Sequence, residues 1–69
     1  MRTFKTVDSI KQAVDMGIDV YHKNSNYHVI KDSLNQYLIE CQSNGYCIGL
    51  TWRDGTTLNG QLKDFYINW

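Results

Sequence analysis

A chain of 69 residues holds one hydrophobic core and no more, so a single domain over 1–69 is expected. Seven Lys and Arg offset seven Asp and Glu, with neither sign gathered in a run, and without a positive excess nucleic acid is disfavoured as a partner. No apolar stretch approaches the roughly 18 residues of a membrane span, the first ten residues lack the order of a secretory signal, and two cysteines are too few for a disulfide scaffold; the expected setting is the cytoplasm, with no membrane contact.

From Thr6 to Met16 the apolar residues Val7, Ile10, Ala13 and Val14 recur at spacings of three and four, which predicts an amphipathic helix. Thr6 suits the N-cap, Asp8 the positive first turn, and Gly17 the left-handed residue that ends the helix. Phe4, just outside, is placed to fold back as a staple.

After Gly17 the period changes to two, and β-branched and aromatic residues gather in short runs. Strands are predicted at about Asp19–Lys23, Tyr27–Lys31, Tyr37–Cys41, Tyr46–Trp52 and Phe65–Asn68. Turns are expected at Asn24 to Asn26, Asp32 to Asn35, and Ser43-Asn44-Gly45. Asp54-Gly55 and Asn59-Gly60 offer two more. The apolar tail Phe65, Tyr66, Ile67 and Trp69 is expected to dock.

Asn44-Gly45 is the strongest hairpin signal, and a two-residue type I′ turn there sets Cys41 opposite Ile48, Ile39 opposite Leu50 and Tyr37 opposite Trp52 on the core face. Leu38, Glu40, Gln42, Cys47, Gly49 and Thr51 take the other face; a four-residue loop preserves that parity. Cys41 and Cys47 then point to opposite sides, which excludes a disulfide between them. The expected architecture is α+β, an N-terminal amphipathic helix packed on an antiparallel meander of about five strands. An SH3-like small barrel with the helix at one end is the alternative.

Pairing Lys23 with Tyr27 puts His22 across from His28, but two histidines need a third or fourth ligand to make a zinc site, and the spacing supplies none. No metal and no cofactor are expected. Cys47 with a histidine and an aspartate matches no nucleophile signature, and so small a domain has little wall for a catalytic pocket, so no enzyme activity is expected. The isolated glycines make turns rather than a phosphate loop.

Nine aromatic residues, five Tyr, two Trp and two Phe, are the remaining clue, because Tyr and Trp bury large area at low entropic cost and keep a polar atom. On the parity above Tyr21 and Tyr27 fall with Val29 on the face opposite the core, as does Glu40; Tyr21, Tyr27 and Glu40, with Arg53 and Asp54, are the candidate binding residues. The competing explanation is that small cores simply use large residues.

The run Tyr46-Cys47-Ile48-Gly49-Leu50-Thr51-Trp52-Arg53-Asp54-Gly55, with Leu58-Asn59-Gly60 and Asp64-Phe65-Tyr66, resembles small uncharacterised proteins of bacteria and their phages. The resemblance implies a setting rather than a mechanism: a non-catalytic protein that binds and blocks a host macromolecule, such as a CRISPR-type antiviral-defence component, its partner a host or phage protein. A homodimeric binder of a small nucleotide-like ligand, or a structural subunit of an assembly, are the alternatives.

Overall fold

The computed structural model describes residues 2–68. One helix, α1 (Val7–Asp15), lies on a six-stranded antiparallel sheet, with β1 (Arg2–Thr3), β2 (Val20–His22), β3 (Asn24–Lys31), β4 (Tyr37–Cys41), β5 (Tyr46–Gly49) and β6 (Phe65–Ile67). The strand order is β1-β6-β2-β3-β4-β5. β2 to β5 form a meander, and the C-terminal strand returns to insert between β2 and β1. The sheet is open, with β1 and β5 as its edges, so the barrel alternative is not adopted. No helix among the described residues is long and apolar enough to cross a membrane.

Thr6 caps α1 as its sequence implies: its Oγ1 accepts from the Ser9 N–H at 3.1 Å, and a reciprocal capping box closes through the Ser9 hydroxyl. At the other end Gly17, at φ +80°, donates to the Val14 carbonyl, and Ile18 donates to that of Ala13. Ile10 and Ala13 are buried against Val20, Val29, Ile39, Leu50, Phe65 and Ile67, and Phe4 and Val14 pack on their rim. Asp15, on the last turn, accepts from the Tyr37 hydroxyl at 2.8 Å and from Lys31 Nζ at 3.0 Å. Both donors pull its carboxyl below the ordinary carboxylate range, Tyr37 more strongly.

The tail docks: Phe65 is fully buried and Ile67 nearly so, while Trp69 lies outside the described residues. Three other expectations are corrected. First, β4 and β5 pair Cys41 with Tyr46 and Ile39 with Ile48, two residues from the two-residue-turn register. Gly45 takes φ +74° but Asn44 does not adopt the left-handed conformation that a type I′ turn also requires there. Asn44 instead spends its side chain on the Tyr46 N–H at 2.8 Å, and the Cys41 carbonyl accepts from both Asn44 and Gly45. Face parity survives, as for any shift of two.

Second, β5 ends at Gly49 and Trp52 is 65 % exposed rather than core, because the chain turns away to bridge Thr51 to Leu58. Third, β2 and β3 pair Tyr21 with His28 and Val20 with Val29, one residue away from the expected register. Lys23, at φ 68°, makes the turn in place of Asn24 to Asn26, and a register shift between Tyr21 and His22 adds the odd residue that a moved turn alone would not. A one-residue slip exchanges faces, so Val29 enters the core and Tyr27 turns inward with it.

Candidate functional site

Residues directly opposite each other in an antiparallel sheet share a face. The register therefore draws one row across the side away from α1: Thr3, Tyr66, Tyr21, His28, Glu40 and Cys47, one residue from each strand. Adjacent rings in the row touch. Tyr21 stacks on His28 with centroids 5.3 Å apart and tilts against Tyr66 at 5.7 Å. His28 Nε2 lies 3.3 Å from Asp19 Oδ1, so Asp19 and Glu40 place two carboxylates beside the central rings. Beyond Tyr66 a shallow hollow is lined by Lys23, Ser25, Lys63, Asp64 and Asn68.

The core face carries a second feature. A groove of about 330 Å³ opens between His22, Tyr27, Ile39, Cys41, Tyr46 and Ile48, where the sheet runs past the end of the helix layer. Tyr46 and Ile48 remain 68 % and 40 % exposed. His22 at its base is buried, stacked 4.3 Å from Phe65 and edge-on to Tyr27. Among the described residues its Nε2 has no hydrogen-bond partner, and it faces Gly60, where an added Cβ would stand 3.1 Å away. Burial first, and Lys23 second, hold this imidazole below its ordinary pKa against the opposing pull of Asp64.

The sequence-derived binding residues are thus divided. Tyr21 and Glu40 share the outer row. Tyr27 lies in the groove on the other face, a correction that follows from the one-residue slip. Arg53 is exposed beside a hollow with Lys11, Tyr37 and Trp52. Asp54 is committed to its own turn: it accepts from the Thr56 and Thr57 N–H groups at 2.9 and 2.8 Å and from the Thr57 hydroxyl, which holds its pKa down to about 2. His22 and His28, expected face to face, lie on opposite sides of the sheet, so the pair cannot share an ion. The described residues hold no cluster of three metal-ligating side chains. Cys41 and Cys47 are both free, Cys41 half-buried and Cys47 exposed.

Sequence reasoning missed His28 and Tyr66 as members of the row. The alternation Phe65-Tyr66-Ile67 is the signal that marks Tyr66 as the outward residue of a half-buried strand. Comparison with protein-family models, curated proteins and solved structures finds no match.

Proposed function

We propose that this domain is a non-catalytic binding protein that engages a macromolecular partner through the uncovered face of its sheet. The observation that carries the reading is the row Tyr66, Tyr21, His28 and Glu40, contiguous across four strands and covered by no element of the described chain. Rings held by strand pairing offer rigid contact area at little entropic cost. With Asp19 and Glu40 beside them, their faces suit a cationic side chain, which gains both a carboxylate and an aromatic quadrupole. A basic segment of a partner protein is the occupant this chemistry favours.

The resemblance to small bacterial and phage proteins supports a blocking role, in which the domain occupies a basic surface of a host macromolecule, an antiviral-defence component of the CRISPR type among the candidates. The test compares what co-purifies with the tagged wild-type chain and with a Tyr21→Ala, Glu40→Lys double variant of matched folding. A partner retained in stoichiometric amount by the first and lost by the second is expected. A partner held equally by both places the contact elsewhere.

A further inference from the structure

The two edges of the sheet are unlike. β1 is two residues long and carries Arg2, which are the usual safeguards of an exposed edge, shortness and charge. β5 reads Tyr-Cys-Ile-Gly, with no charge, no proline and no bulge, and beside it Tyr46 and Ile48 leave the apolar groove open. Its backbone phase follows from its neighbour. The Leu50 N–H donates to the Tyr37 carbonyl of β4 at 2.9 Å. Because donors alternate along an antiparallel strand, the N–H groups of Ile48 and Tyr46 also aim at β4, and those of Cys47 and Gly49 aim outward. Past Gly49 the edge is closed by the chain itself, where Asn59 donates to the carbonyls of Leu50 and Gly49. The open stretch is therefore centred on Cys47.

We infer that a second copy of this chain pairs with that edge, β5 against β5 about a two-fold axis through Cys47. This rests on the edge and the groove and is independent of the partner proposed for the outer face. An antiparallel pair centred on Cys47 sets Tyr46 opposite the partner's Ile48, and Ile48 opposite the partner's Tyr46. The two side chains that one copy leaves exposed then cover each other across the axis, with two main-chain hydrogen bonds between the central cysteines. Such self-complementarity is what an isologous interface requires. A net charge of +0 gives two copies no overall repulsion to overcome. In the pair both helices lie on one side of the sheet, so the two outer rows join into one platform, with Glu40 and Cys47 at its middle.

The test is sedimentation equilibrium of the full chain, with each variant's thermal transition recorded beside it. Wild type is expected at twice 8.1 kDa. Cys47→Lys places a charge on the edge at an exposed position and is expected to weaken association by about a hundredfold or more while melting as a folded protein; Cys47→Ser is expected to leave the dimer intact. In a Cys41→Ser background, a short bis-maleimide is expected to join two chains through Cys47. A wild type that stays monomeric at millimolar concentration overturns the proposal. So does a dimer that Cys47→Lys leaves unchanged, or one whose Cys47 thiols label singly and never join. Should Cys47→Lys not fold, Ile48→Ser carries the same expectation and the cross-link decides.

Discussion

Tyr21 stands directly across from His28, and their rings stack 5.3 Å apart on the face of the sheet that the helix leaves open. That pairing locates the register of the first hairpin, because sliding it by one residue would send His28 into the core and bring Val29 out. It also makes the stack a measurable contribution. Tyr21→Ala is expected to lower stability by about 1 kcal/mol, the usual value of an aromatic cross-strand pair, and His28→Ala by a similar amount. In a double-mutant cycle read by urea unfolding the two losses should not add.

The inner row gives a larger effect. Val20, Val29 and Ile39 stand in one register line at 0 %, 2 % and 2 % exposure, and Leu50, bonded to Tyr37 two residues along β4, is at 0 %. Ile39→Ala or Leu50→Ala removes packed atoms from a core with little room to collapse and is expected to cost about 2–5 kcal/mol. For a chain of this size that approaches the whole folding free energy, so circular dichroism should show either variant largely unfolded at 37 °C.

Acid sensitivity should trace to His22. Its folded-state pKa lies below the ordinary 6.5, so the unfolded chain takes up the proton more readily. The neutral ring's contribution is then full above about pH 6.5 and is lost as the pH falls below that value. Asp54, at about 2 when folded against an ordinary 3.8, is lowered instead. What it contributes is present above 3.8 and disappears only as the pH falls through 2, well clear of the histidine window. Urea midpoints measured near pH 7.5 and pH 5.5 should therefore fall for wild type and change less for His22→Leu.

Gly60 answers to the same ring. It holds φ +147°, and a Cβ there would meet His22 Nε2 at 3.1 Å. Gly60→Ala combines backbone strain with that contact and is expected to cost about 1–3 kcal/mol in thermal or urea melts. Gly45→Ala, with open space around the added methyl, pays only the strain and should lose less.

Much of this architecture is legible in the residues. The spacing of Ile10, Ala13 and Val14 finds the helix, Thr6 and Gly17 find its ends, and the alternation through Tyr37–Cys41 and Tyr46–Gly49 sorts the two faces of that hairpin even though Asn44 closes a longer turn than its type suggests. β1 leaves no trace, because Arg2 and Thr3 are a strand only by virtue of β6 beside them. The division of Tyr21 from Tyr27 was beyond local pattern for a different reason. It depends on the register shift between Tyr21 and His22 that accompanies the tight reversal at Lys23, and a lysine at φ 68° is a conformation that tertiary contacts impose, here a hydrogen bond from the Lys23 N–H to the Asp64 carbonyl at 2.7 Å. Parity alone therefore sets Tyr21 and Glu40 on the outer face, while His28 requires the observed register of the first hairpin and Tyr66 the strand order.

The most direct test of the binding face is photo-crosslinking inside the producing cell, with p-benzoylphenylalanine replacing Tyr21 or Tyr66 in the row, or Met16 on the helix side. The row positions are expected to give one shared adduct beyond the mass of two copies of the chain, and Met16 none. Adducts from Met16 alone, or none from either row position, would contradict the assignment of the open sheet face as the contact surface.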